Sequence, residues 1–267
     1  MDWSTGLLLL LPLMQGPPRI AETVTVSAPA GTLRISTPAS ATILDAEAVA
    51  SAAALTVDDV LKTVPGFSLF RRSSSRVANP TTQGVTLRGL SASGASRTLV
   101  LADEVPLNDP VGGWVYWSRV PAAAIERIEV TRGAVGDVYG SDAMGGAIRI
   151  ETASRGARVV AEGGEDGTAR LSAFAGRAVG NADVRGAIEG FTTDGYVTVA
   201  PESRGVIDVA AESTHRGALL SAGAPVARSA RVDVHGSYFR ERRGNGTPLQ
   251  RNETEIFQGA SRLRGPA

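Results

Sequence analysis

The chain of 267 residues contains no cysteine, one lysine (Lys62) and two histidines (His215 and His235), and aromatic residues make up 5% of it. Without cysteine there is neither a disulfide framework nor a zinc–thiolate site. Two histidines 20 positions apart, in Gly- and Ala-rich surroundings, fit no recognisable triad motif, so a secreted hydrolase and most histidine-dependent metal or acid–base sites are set aside. Basic and acidic side chains balance at 27 each, and the arginines are scattered. No basic stripe for nucleic acid is present. What the chain has in excess is glycine, 31 residues, which suits tight turns, close backbone approach and strands.

One strongly apolar run lies near the N-terminus, Leu7 to Leu11 continued by Leu13 and Met14. A helix spanning a bilayer takes about 20 apolar residues. The run is too short for that and reads as the core of a signal peptide over residues 1–21, although its leading segment lacks a basic residue. Any membrane role then falls to strands.

Residues 22 to about 153 mix helical and strand signals, whereas 157–265 read almost wholly as strands, so the chain divides near Ala153 to Gly156 into parts 29–153 and 154–267. A helix is expected over Asp45 to Ala53, and a second after Thr56, with Thr56 as N-cap and Asp59 closing a capping box; Pro65-Gly66 stops it. Short strands are expected at Phe67–Phe70, Gly84–Arg88, Thr98–Ala102, Ile125–Thr131 and Ala147–Glu151. Over Ile125 to Thr131, the period of two puts Glu126, Ile128 and Val130 on one face and Arg127, Glu129 and Thr131 on the other. The glycines from Gly133 to Gly146 lead into no Gly-Lys-Ser/Thr, so they pack backbone and do not cradle phosphate.

Beyond residue 154, six strands are expected near 157–164, 168–177, 182–191, 216–225, 230–240 and 255–264. Alternation is clean where Val184, Gly186, Ile188 and Gly190 oppose Asp183, Arg185, Ala187 and Glu189. Apart from the tight Asp166-Gly167 hairpin, short turns alternate with long loops, as in an outer-membrane barrel. A soluble sandwich alternates its faces too, but has no reason to gather its long loops at one end.

Five ordered pieces carry a resemblance: Val57 to Gly66 (VDDVLKTVPG), Val85 to Leu90 (VTLRGL), Arg97 to Asn108 (RTLVLADEVPLN), Ile125 to Gly133 (IERIEVTRG) and Val138 to Ile150 (VYGSDAMGGAIRI). Together they resemble the plug domain of TonB-dependent outer-membrane receptors. The resemblance implies an α+β plug leading into antiparallel β-strands of a transmembrane β-barrel, incomplete here. A barrel of 22 strands of about 10 residues needs roughly 220 residues, about twice the number between Thr152 and the end of the chain. The chain therefore reads as a truncated receptor.

The segment Glu22, Thr23, Val24, Thr25, Val26 and onward to Ala28 looks like the TonB box that such receptors offer to a TonB-type periplasmic energy-coupling protein. By the same resemblance, loops 71–83 and 108–117 form the ligand-facing apex, with Arg71, Arg72, Asn79, Gln83, Asn108, Trp114, Tyr116 and Trp117 as contacts for a small-molecule ligand, a metal chelate of siderophore or cobalamin class. Aromatic stacking and charge-assisted hydrogen bonds suit such a ligand; packing of the three aromatics between plug and barrel is the equal alternative. Arg88 and Arg132 are the implied latch between plug and barrel. Asp103-Glu104 departs from the Asp-Gly usual in the family, and a different turn geometry is expected there. The implied protein is no enzyme, takes no cofactor or structural metal, binds no nucleic acid, and sits among outer-membrane lipid in a Gram-negative-type cell with its plug facing the periplasm. The rival expectation is a soluble periplasmic plug-like binding or interaction module without a pore.

Overall fold

The computed structural model describes residues 40–52, 54–71, 73–79, 84–87, 89, 96–133 and 135–265. The expected signal peptide, the segment Glu22–Val26 and Arg72, Gln83 and Arg88 lie outside them. Among the described residues no helix is long and apolar enough to cross a membrane. That leaves crossing by strands untouched.

The first unit is built on a five-stranded sheet. Its strands are β1 (Ser40–Asp45), β4 (Thr98–Ala102), β5 (Val105–Pro106), β6 (Ile125–Arg132) and β7 (Gly146–Thr152), in the order β1-β6-β7-β4-β5. Among the described residues, β4 and β7 are the one parallel pair. A separate pair, β2 (Phe67–Leu69) and β3 (Val85–Leu87), closes beside it. β4 reads Thr-Leu-Val-Leu-Ala and is buried throughout, because it lies inside the sheet and is covered on both faces. Val85, Leu87, Val100, Ile128, Val130, Ile148 and Ile150 share one core with Leu61 and Trp117.

Three short helices complete the unit: α1 (Ala46–Ser51), α2 (Val57–Leu61) and α3 (Gly136–Tyr139). Asp45 caps α1, its carboxylate accepting from the Ala48 N–H at 2.8 Å. The expected capping box at Thr56 is replaced by another arrangement. The Thr56 hydroxyl makes no cap bond to the backbone and instead donates to the Asp59 carboxylate at 2.8 Å. Face assignment in β6 also differs from expectation. A bulge between Ile125 and Arg127 shifts the register against β7, so Glu126 is exposed while Ile128 and Val130 are buried.

The second unit is one antiparallel sheet of six strands in sequence order: β8 (Gly156–Gly164), β9 (Thr168–Val179), β10 (Ala182–Thr193), β11 (Ser213–Ala227), β12 (Ala230–Gly244) and β13 (Arg251–Arg264). β11 to β13 are longer than the sequence suggests, and the loop after β12 shrinks to residues 245–250. Arg242, Arg243 and Asn252, expected in a loop, instead pair across β11, β12 and β13. The connections 165–167, 194–212 and 245–250 share one end of the sheet; 180–181 and 228–229 share the other. The sheet does not close: β8 and β13 are its edges.

Candidate functional site

The six-stranded sheet buries polar and charged groups beside Phe174, Phe191, Leu219 and Phe239 on one face and exposes large apolar side chains on the other. On one face Ser172, Glu189, Thr193, Ser213, His215, Ser221, Glu241 and Arg243 are buried. On the other, Ile188, Leu220 and Phe257 are 63%, 61% and 66% exposed, and Leu171, Val159, Val234 and Leu263 are exposed too. The period of two in each strand produces this separation. The polar face is covered because the first unit sits on it.

Contacts between the two units fall at three heights. Nearest the short turns, Asp103 accepts from the Thr152 N–H at 2.9 Å and hydroxyl at 2.6 Å, and pairs with Arg185 of β10 at 3.1 Å. Half-way up, the 3-10 turn Ala122–Ala124 is seated by its backbone. The Ala122 N–H donates to Glu189 at 2.7 Å, and the Ala123 N–H to the Ser172 hydroxyl at 3.1 Å. Arg158 donates to the Ile125 carbonyl at 2.7 Å. The second oxygen of Glu189 lies 3.4 Å from His215 Nε2, and the imidazole is stacked on Phe191 with ring centres 4.7 Å apart.

Close by, Arg119 donates to the Leu107 carbonyl at 3.2 Å and to the Gln258 side-chain oxygen of β13, while the Gln258 amide donates to the Pro106 carbonyl at 3.0 Å. Burial lowers the Arg119 guanidinium to about 10, which leaves it cationic at neutral pH.

At the end bearing the loops, segment 73–79 is gripped from both sides. From the wall, buried Arg243 donates to the Ser75 carbonyl at 2.8 Å and to the Ala78 carbonyl, and is held by Glu241 at 2.8 and 3.1 Å. From beneath, the carboxylate of fully buried Asp58 accepts from the Ser75 N–H at 2.9 Å and from its hydroxyl. Burial pushes the Asp58 carboxyl up, and the adjacent Asp59 charge adds to it; the Ser75 hydrogen bonds act in the opposite direction. Arg76 reaches Asp166 at 2.9 Å and the Thr193 hydroxyl at 3.2 Å.

The expected apex residues occupy distinct surroundings. Arg71 is exposed. Asn79 is half-buried, with its amide 3.4 Å from the side-chain oxygens of both Asn245, in the loop after β12, and Asn252 of β13. Asn108 is committed to backbone: it accepts from the Val100 N–H at 2.7 Å and donates to the carbonyls of Thr98 at 3.1 Å and Gly113 at 3.4 Å. The Trp114 ring lies so close over Gly112 that a Cβ there would fall 1.6 Å from it. Tyr116 touches Phe239 of β12, ring centres 6.0 Å apart, and Trp117 is 1% exposed in the core, edge-on to Phe67 at 6.1 Å. Arg132 donates to the Pro65 carbonyl at 2.9 Å.

Sequence reasoning passed over Glu189, His215, Glu241, Arg243 and Gln258. Their only signal was a polar residue at alternate positions of a strand, which by itself reads as a solvated face.

Residues 34–147 match the family model described as the TonB-dependent Receptor Plug Domain. Two vitamin B12 transporters named BtuB from Vibrio vulnificus are similar in sequence. One, from strain YJ016, is 42% identical over 94 residues, which is 35% of this chain and 14% of the relative. The other, from strain CMCP6, is 31% identical over 170 residues, 62% of this chain and 27% of the relative. The chain thus aligns with about a quarter or less of these relatives' length. Among solved structures, the siderophore receptor PirA from Acinetobacter baumannii superposes with a TM-score of 0.65 at 18% identity, covering 84% of this chain and 37% of that one. The ferric enterobactin receptor PfeA from Pseudomonas aeruginosa gives 0.64 at 18% identity, covering 84% and 38%. Residues 34–147 thus carry a plug domain of the TonB-dependent receptor type, seated on the polar face of an open antiparallel sheet like part of a receptor barrel.

Proposed function

We propose that the chain acts in an outer-membrane receptor for energy-coupled uptake of a metal chelate, of the siderophore or cobalamin class. The observation that carries this reading is the band of large apolar side chains exposed on the outer face of the sheet. Across its middle Ile188, Leu220 and Phe257 face outward while Glu189, His215 and Arg243 face the plug, a pattern that costs free energy in water and lowers it in hydrocarbon. The soluble periplasmic module fares poorly here, since it would set Ile188, Leu220 and Phe257 against water. The ligand class rests on the names of the similar proteins and on the chemistry of the apex.

On this reading the loop-bearing end faces outside and the short turns face the periplasm. Arg71, Arg72, Asn79, Gln83 and Trp114 supply the plug's share of ligand contact. Asn108 and buried Trp117 shape the turn that presents Trp114, and Tyr116 packs on the wall. Glu22 to Val26 adds as a strand to the TonB-type partner, whose pull loosens the plug; no covalent chemistry takes part. Arg88 and Arg132 remain the proposed latch, joined by the wall contacts of Glu189 and Arg243.

The absence of cysteine makes the test direct. In native membranes, Leu220→Cys should react with a lipid-soluble maleimide and resist a membrane-impermeant one, while its neighbour Ser221→Cys, under the plug, should resist both until denatured. Labelling of Leu220→Cys by the impermeant reagent would instead favour the soluble module.

A further inference from the structure

The register of β9 to β13 aligns outward residues in rungs across the strands. One rung joins Ala173, Ile188, Ala218, Tyr238 and Phe257, and the next towards the loops joins Leu171, Gly190, Arg216, Arg240 and Glu255. Arg216 and Arg240 therefore stand directly opposite each other on the same exposed face. Like charges so placed destabilise an antiparallel pair. Arg240 is offset by Glu253 at 2.8 Å, which also meets Arg242 at 3.2 Å, and Glu255 accepts from the Tyr238 hydroxyl at 3.0 Å. Arg216 has no ion-pair or hydrogen-bond partner among the described residues. The cluster carries three positive and two negative groups.

Immediately below this surplus charge lies a shallow groove of about 550 Å³ in the outer surface. Its small lining residues are Gly186, Ala218 and Gly236; Leu220 stands between Gly186 and Gly236, and Ile188 and Tyr238 flank Ala218. An added Cβ at Gly236 would meet nothing within 4 Å, so the groove opens onto free space. A shallow apolar groove beside an unpaired cation matches one kind of occupant, an acyl chain ending in a phosphate headgroup.

We infer that this groove and Arg216, with Arg240 beside it, form a binding site for a phosphorylated acyl lipid of the surrounding membrane. The site rests on the reading of the sheet as a membrane-embedded wall. The acyl chain lies over Ala218 and Gly236, beside Leu220, and the headgroup phosphate bridges the two guanidinium groups, removing the repulsion between them.

The full chain in dodecyl maltoside micelles can be titrated with phosphatidic acid carrying a mid-chain spin label, and with the matching labelled diacylglycerol. The motionally restricted fraction should be about fivefold larger for phosphatidic acid, the effect of one basic residue on an anionic lipid. Arg216→Gln should abolish that preference and Arg216→Lys should keep most of it. Gly236→Leu should reduce the restricted fraction of both lipids. Unchanged near-ultraviolet circular dichroism separates these effects from misfolding. Equal restriction of the two lipids by the unaltered chain would overturn the lipid site while leaving the wall in the membrane. No restriction of either lipid would overturn the membrane reading itself. If equimolar inorganic phosphate erased the preference, the site would be one for free anions and the lipid assignment would fall.

Discussion

Glu104, in the turn that joins β4 to β5, forms an ion pair with Arg149 of the neighbouring strand β7, the Arg149 Nε lying 3.1 Å from Glu104 Oε1. That pair accompanies a strained backbone: Asp103 and Glu104 have φ of 48° and 69°, both left-handed. Leu101 pairs with Pro106 and Ala102 with Val105, so the two residues make a two-residue hairpin loop of the type that requires positive φ twice. The different turn expected from the missing glycine is therefore not formed; Glu104 adopts the glycine-like conformation. Arg149 also meets Glu129 and Glu151 at 3.5 Å, and hydrogen bonding to Glu104 raises its guanidinium despite burial.

Replacement of Glu104 separates strain from pairing. Glu104→Ala keeps the left-handed cost and loses the ion pair, and should destabilise the plug by about 0.5–1 kcal/mol. Glu104→Gly loses the pair but relieves about 1–2 kcal/mol of strain, partly offset by glycine's greater freedom in the unfolded chain. It should lie within about 0.5 kcal/mol of the parent. Urea unfolding of both variants, monitored by plug tryptophan fluorescence, checks the order.

Arg243 and Glu241 are 3% and 4% exposed, so removing one charge strands the other. Arg243→Ala should cost about 3–5 kcal/mol and release the carbonyls of Ser75 and Ala78. Amide exchange over 73–79 should rise far more than exchange over 122–125. The paired replacement Arg243→Met with Glu241→Leu should recover much of the stability without restoring protection of 73–79.

Asp58 makes segment 73–79 sensitive to pH. Its carboxyl is raised in the folded state, so the folded chain holds the proton to higher pH than the unfolded chain. Its contribution therefore favours folding at acid pH and declines as pH rises from the usual carboxylate range through the folded value, then levels off. Asp58→Asn should flatten that slope. Protection of the Ser75 amide, measured from acid to neutral pH, reads the effect.

At the proposed apex, Trp114→Ala and Arg71→Ala should each weaken chelate binding by about tenfold, the loss of one stacking or one charge-assisted contact. Titration calorimetry with ferric siderophores and with cobalamin measures this. Retained near-ultraviolet circular dichroism separates ligand contact from packing. Trp117→Ala should instead unfold the plug, since it empties a core position that only 1% of the side chain leaves open.

Several elements were legible in the chain itself because their causes are local. Residues 98–102 form a strand as read, 125–132 runs one residue further than expected, and 146–152 is longer by one residue at each end. Their β-branched runs and glycine boundaries need no partner to be recognised. β1 and β5 were passed over: Ser40–Asp45 is a short edge strand ordered by pairing with β6, and Val105–Pro106 exists only as the return of a hairpin. The bulge at Ile125 to Arg127 left no local mark either, since it arises from register against β7.

The sequence alone determined that Val184, Gly186, Ile188 and Gly190 share one face and Asp183, Arg185, Ala187 and Glu189 the other, because a strand alternates with a period of two whatever surrounds it. It could not determine which face turns inward. Only the tertiary structure decided that, by seating the plug on the polar face and giving its groups partners far away in the chain: Glu189 meets the Ala122 N–H, Arg185 meets Asp103, and Arg243 meets Ser75. Burial of a charge is favourable only where such partners are already in place. Those partners come from a separately built core, so no window of the strand sequence contains them.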